Sequence, residues 1–142
     1  MMSSDEAIAY VDGSYDVSTG KFACGIVLWI GENKEEISHA YDHSEMSEMR
    51  NVAGEIMGSS EAIKYCLEHN VGKLTIYHDY EGIAKWCTGE WKAKKQYTKA
   101  YAAYYAKARA KMQIDFVKVK GHSGDRYNDE ADRLARSALS LD

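Results

Sequence analysis

The sequence predicts an α/β fold, a mixed five-stranded sheet with three antiparallel strands followed by two parallel ones, flanked by helices. Three observations predict it. Residues 7–41 hold three successive strand-like runs with no helical period between them, which suits an antiparallel meander. From residue 51 onward the pattern reads helix, strand, helices, strand, helix, and a strand reached through a helix pairs in parallel by a crossover. The 142 residues, 45% hydrophobic and 28% charged, suit a single domain over residues 1–142 with one core.

Proline is absent, so the boundaries rest on Gly, Asn, Asp and periodicity. Residues 7–11 form a short strand ending at Asp12-Gly13. Residues 16–20 make a hairpin turn into a second strand, 21–30, whose stretch from Phe22 to Ile30 is almost wholly apolar. Residues 35–41 are more polar, as an edge strand would be. Residues 51–69 form a helix, and a helical wheel sets Glu55 on the shoulder of the face bearing Val52, Ile56, Ser59, Ile63 and Cys66. Gly54 and Gly58 weaken that helix and leave room for another backbone. A fourth strand, 73–77, leads into His78-Asp79. A short helix follows at 80–87, then a longer one at 98–112 with Tyr101, Tyr104, Tyr105, Ala108 and Met112 along a core-facing stripe. The fifth strand is 114–119. A loop over 121–127 precedes the last helix, 128–139, which faces inward through Ala131, Leu134, Ala135 and Ala138 and keeps Asp132 on its shoulder.

No apolar run is long enough to span a membrane, and the N-terminus lacks the basic and apolar regions of a signal peptide. A cytoplasmic location is expected. Cys24, Cys66 and Cys87 have neither zinc spacing nor an even count and read as reduced structural thiols. The net charge of −4 hides an asymmetry. Residues 1–84 carry 5 Lys/Arg against 15 Asp/Glu, and residues 85–120 carry 10 against 2. A basic segment within an acidic chain can meet phosphates while acids elsewhere hold metal; it can also be a solvated helix face.

Four acids stand in apolar surroundings: Asp12, Glu55, Asp79 and Asp132. A carboxylate there is costly unless a cation neutralises it. Asp12 and Asp79 end strands that can be neighbours, and Glu55 and Asp132 can approach from helices. Four oxygen donors without a His/Cys set favour Mg2+ or Mn2+ over zinc. Two such ions held close together suit in-line attack on a phosphodiester.

The chain closely resembles the ribonuclease H type 1 family, in its bacterial form with a shortened basic protrusion. The matching segments are Tyr10-Val11-Asp12-Gly13-Ser14, Asn51 with Glu55, Tyr77-His78-Asp79, and Val119-Lys120-Gly121-His122-Ser123-Gly124 followed by Asn128 and Ala131-Asp132-Arg133-Leu134-Ala135. They span almost the whole chain. The resemblance implies an RNase H-like fold and an endonuclease that hydrolyses the RNA strand of RNA–DNA hybrids, leaving 5′-phosphate and 3′-hydroxyl ends. It implies two Mg2+ ions, with Mn2+ as a substitute, held by Asp12, Glu55, Asp79 and Asp132. His122 would assist proton transfer or product departure, as a histidine near neutral pKa can.

The resemblance also implies that Asn51 and the backbone of Gly13 and Ser14 contact the hybrid, with Asn128 supporting the site. Arg50 replaces the small hydroxyl residue that many relatives have in a DNA-phosphate pocket, and could bind phosphate directly. The long Trp-rich basic protrusion of many relatives is reduced here to residues 86–95. Trp91, Lys92, Lys94 and Lys95 remain to hold the DNA strand, and a monomer with weaker binding is expected. Two rival readings share the fold: a DNA-directed nuclease, which Asn51 and the Gly-His-Ser-Gly loop disfavour, and a non-catalytic nucleic-acid-binding module, which would be expected to lose an acid.

Overall fold

The computed structural model describes residues 5–120 and 125–141. Its sheet is built outward from β1 (Glu6–Tyr15), whose alternate residues Ala7, Ala9, Val11 and Gly13 are buried on one face. β2 (Phe22–Ile30) pairs antiparallel with β1 and is buried from Phe22 to Leu28, and β3 (Asn33–Tyr41) closes the meander as a largely exposed edge. β4 (Lys73–His78) lies parallel to β1 on its other side, and β5 (Gln113–Lys118) parallel to β4. The order is β3-β2-β1-β4-β5, the three antiparallel and two parallel strands expected.

One boundary differs in a way that matters. The expected end of the first strand at Asp12 is incorrect: β1 runs on to Tyr15 because β2 keeps pairing with it, through Asp12↔Gly25 to Tyr15↔Phe22. The parallel pairing of β1 with β4 stops earlier, at Tyr10↔Tyr77. Asp12 thus stands where β1 loses its β4 neighbour, with ladder support on one side only.

Helix α1 (Asn51–Glu68) covers one face of the sheet. Its Ala62, Ile63 and Cys66 share a core with Ala9, Val11, Cys24 and Ile26. α2 (Gly82–Thr88) follows β4, and α3 (Gln96–Arg109) buries Tyr101, Tyr105 and Ala108, the stripe read from the sequence, with Met112 just beyond it. Tyr101 donates to the Ile83 carbonyl at 2.7 Å and lies 2.9 Å from Ser59 Oγ, so its polar tip is satisfied although the ring is buried. α4 (Arg126–Ala138) begins two residues earlier than expected. Asp125 Oδ1 caps it by accepting from the Tyr127 and Asn128 N–H groups at 3.0 and 3.1 Å, which stabilises a helix start.

A short 3-10 helix, Glu45–Met49, has no counterpart in the sequence reading. Ser44 and Ser47 cap it, and the buried Ser47 hydroxyl donates to the Gly20 carbonyl at 2.6 Å. It delivers the chain to Arg50, whose φ of 54° turns it into α1. Among the described residues no helix is long and apolar enough to cross a membrane, and Cys24, Cys66 and Cys87 are free.

Candidate active site

Two helices reach Asp12 because glycines let them come very close. Gly13 of β1 lies under the first turns of α1: a Cβ there would overlap the Asn51 carbonyl and crowd the Glu55 amide. Gly54 meets the Ala23 carbonyl of β2 in the same way. This backbone contact sets Glu55 beside Asp12, as the sequence reading of Gly54 allowed. On the other face, Gly25 is the register partner of Asp12, and a Cβ on it would overlap the Ala131 carbonyl of α4. α4 therefore presents Asp132, the next residue, to Asp12. The sequence reading overlooked Gly25; the available signal was a glycine inside an otherwise apolar strand, which marks a close approach.

Glu55 is 3% exposed. Its Oε2 accepts from the Asp79 N–H at 2.7 Å, and Oε1 accepts from the Tyr80 N–H at 3.2 Å. The carboxylate thus ties α1 to the chain leaving β4. Burial raises the Glu55 pKa to about 8; the Asp79 and Tyr80 N–H groups oppose the rise, and the charges of Asp12 and Asp79 add to it. Asp12 is likewise pushed well above the usual carboxylate range, first by burial. Its bond from the Gly13 N–H (2.9 Å) works against that, and the adjacent Asp132 carboxylate and the charge of Asp79 reinforce it. Asp132 is half-buried, with Arg136 Nη1 4.0 Å away on its outer side.

Asp12, Glu55, Asp79 and Asp132 are therefore brought together from β1, α1, the end of β4 and α4. Among the described residues no three His, Cys, Asp or Glu side chains already form a metal-holding group. Asp12 stands against Asp132, while Glu55 is turned to the Asp79 backbone. The donor set still fits a hard divalent cation. It is all oxygen, and the charges that raise Asp12 and Glu55 belong to other members of the same group. A cation among them would relieve a repulsion built into the fold.

The other expected residues divide. Gly13, Ser14, Arg50 and Asn51 gather at the start of α1, with Arg50 and Asn51 exposed and the Arg50 guanidinium 5.3 Å from the centre of the Tyr15 ring. Asn128 is 4% exposed, one turn before Asp132, and its Oδ1 has no hydrogen-bond partner among the described residues. Trp91 is half-buried and packs edge-on against Trp86 and Tyr80 at 6.0 and 5.9 Å. Lys92 and Lys94 are exposed, and Lys95 lies 3.5 Å from Glu48. His122 lies outside the described residues.

A pocket of about 530 Å³ sits elsewhere, between α1 and α3, lined by Met57, Tyr97 and Tyr104 among others.

The RNase H family profile matches residues 4–140. Curated relatives include the ribonuclease H of Syntrophomonas wolfei, 31% identical over 94% of this chain and 96% of its own length, and that of Wolbachia pipientis, 26% identical over 97% and 98%. Among solved structures, the N-terminal RNase H domain of a Mycobacterium tuberculosis protein superposes with a TM-score of 0.78 at 18% identity, covering 95% of this chain and 94% of that one. An RNase H1 isolated from compost, solved in complex with an RNA/DNA hybrid, gives 0.72 at 18% identity, with 94% and 99% covered.

Proposed function

The chain belongs to the RNase H family, and on that premise we propose that it is an endonuclease hydrolysing the RNA strand of RNA–DNA hybrids to 5′-phosphate and 3′-hydroxyl ends. In this reading residues 1–142 are one RNase H domain, acting as a cytoplasmic monomer. The observation that carries the reading is the meeting of Asp12, Glu55, Asp79 and Asp132 from four separate stretches of the chain, where β1 loses its β4 neighbour.

These four acids would hold two divalent ions, Mg2+ or Mn2+. Once bound, such ions supply a water of lowered pKa and neutralise charge at the leaving oxygen. The protein's own work is to orient and to bind. The Asp79 and Tyr80 N–H groups fix the Glu55 carboxylate, so one acid is aimed before substrate arrives. Asp132, carried by α4 over Gly25, stands against Asp12, where β1 loses its β4 partner. His122, four residues before the start of α4 in the chain, would exchange a proton with the departing product.

Asn51 and the Gly13 and Ser14 backbone would read the minor groove beside the scissile phosphate, where 2′-hydroxyls distinguish RNA from DNA. Arg50 adds a fork of donors suited to a DNA phosphate, and Asn128 supports the acids from α4. The segment with Lys92, Lys94 and Lys95, braced by Trp91, would follow the DNA strand. End-group analysis of the products tests the chemistry. Fragments bearing 5′-phosphate that ligate to a 3′-hydroxyl partner are expected, whereas cyclic phosphate ends would exclude it.

A further inference from the structure

Helix α4 docks on the sheet with little apolar area of its own. Of its apolar residues only Ala131 and Ala135 are fully buried, and both meet Gly25. Its middle is held to β3 by polar contacts: Lys34 Nζ lies 2.9 Å from Glu130 Oε2, and the Ser38 hydroxyl donates to the Leu134 carbonyl at 2.7 Å. Its first turn is held by an aromatic ring. Tyr127 stands edge-on to Trp29 of β2, with centroids 4.6 Å apart, and is tilted against Tyr10 of β1 at 5.6 Å.

That contact is part of a larger group. Tyr10 is stacked on Tyr77 of β4 at 4.5 Å and lies edge-on to Trp29 at 6.2 Å. Lys34 Nζ and the Arg126 guanidinium lie 5.8 and 5.4 Å from the Tyr127 ring centre. Aromatic edge contacts and cation–π contacts have preferred geometries, so they fix orientation more tightly than aliphatic packing does. The placement follows the acids along three elements. Tyr10 precedes Asp12 by two residues, Tyr77 precedes Asp79 by two, and Tyr127 precedes Asp132 by five. In a strand, residues two apart share a face, so Tyr10 and Asp12 lie on the α4 side together.

We propose that Tyr127 is a positioning residue for the acidic site: clamped between Tyr10 and Trp29, it sets where α4 lies along β1 and so the placement of the Asp132 carboxylate relative to Asp12. The inference rests on reading the four acids as a divalent-cation site. The polar ties to β3 fix the middle of α4, whereas Tyr127 ties its first turn to Tyr10 of β1 and Trp29 of β2. Shortening Tyr127 frees that end of the helix while leaving all four acids in the chain.

The test is Mn2+ binding to the substrate-free protein, followed by electron paramagnetic resonance well below the melting transition. Wild type is compared with Tyr127→Phe, Tyr127→Ala and Asp132→Asn. Tyr127→Ala is expected to weaken Mn2+ binding about tenfold, as loss of a supporting partner commonly does. Tyr127→Phe, which keeps the ring, should stay within about twofold of wild type. On hybrid, kcat of Tyr127→Ala should fall while KM for the duplex holds. Wild-type Mn2+ affinity in Tyr127→Ala, with only a lower melting temperature, would show a purely structural role and overturn the proposal. A raised KM with unchanged Mn2+ binding would overturn it too, in favour of a nucleic-acid contact. If Tyr127→Ala does not fold, Tyr127→Leu is judged by the same readings. Should Asp132→Asn leave Mn2+ binding intact, the cation-site reading fails and this inference with it. If Asp132→Asn abolishes binding and Tyr127→Ala does not, only the role of Tyr127 falls.

Discussion

The Glu55 carboxylate accepts a 2.7 Å hydrogen bond from the backbone N–H of Asp79, so one member of the acid group holds the backbone that presents another. Tyr80 N–H adds a second bond to the same carboxylate. Glu55→Gln keeps an acceptor oxygen for these donors, while Glu55→Ala leaves both without it. Glu55→Ala should therefore be less stable than Glu55→Gln by about 1–3 kcal/mol, read from urea denaturation in the presence of chelator. Equal stability of the two variants would mean that the bond does not brace the site.

The same carboxylate makes stability depend on pH with a definite sign. Glu55 has a folded pKa near 8 against an ordinary value of 4.5. A raised acid favours folding while protonated, so its contribution is complete below pH ~4.5 and is lost as pH rises through ~8. Asp12 is shifted in the same direction. In chelator, the melting temperature of wild type should fall between pH ~5 and ~8 by the equivalent of a few kcal/mol, and Glu55→Gln should flatten that slope. Mg2+ should stabilise wild type more at pH ~8 than at pH ~5, since a cation competes with protons for the same oxygens. A pH-independent Mg2+ effect would count against the acids as its binding site.

Gly25→Ala tests how α4 reaches Asp12. The new Cβ would run into the Ala131 carbonyl and the Ala135 amide, both rigid helix backbone. A destabilisation of about 2–4 kcal/mol is expected from such overpacking. Activity should fall further than the lost folded fraction accounts for, because Asp132 moves away with the helix. Activity per folded molecule equal to wild type would show that α4 can shift without disturbing the acids.

Much of this arrangement was legible in the sequence. The apolar runs of residues 7–11 and 22–30 announce strands of the sheet, and the tyrosine stripe of α3 is buried at Tyr101, Tyr105 and Ala108 as its spacing requires. Helical periodicity alone turned Glu55 and Asp132 toward the sheet; Asp132 is half-buried as a shoulder residue should be, whereas Glu55 lies deeper, at 3% exposed. The end of β1 was not legible, since Asp12-Gly13 reads as a turn and only the continuing β2 ladder keeps it extended. The 3-10 helix at Glu45–Met49 was overlooked although Ser44 and Ser47 form a local cap; its tie to the distant Gly20 carbonyl is what no local pattern encodes. The aromatic group around Tyr127 joins residues far apart in the chain, so no local pattern announces it.

The basic segment bears on affinity rather than chemistry. Lys92 and Lys94 are exposed, whereas Lys95 has Glu48 beside it. Replacing Lys92 and Lys94 with Ala should raise the Kd for hybrid severalfold and lower the slope of log affinity against log salt by about one per lysine, with kcat unchanged. Lys95→Ala should do less. High affinity that is indifferent to these lysines would place the DNA strand elsewhere on the molecule.

The central claim is that the four acids cleave RNA paired with DNA. Matched, end-labelled RNA–DNA, RNA–RNA and DNA–DNA duplexes incubated with and without Mg2+, beside Asp79→Asn, test it most directly. The account predicts internal cuts in the RNA of the hybrid alone, only with the cation, and none by Asp79→Asn. Equal cleavage of all three duplexes, or full activity in Asp79→Asn, would contradict it.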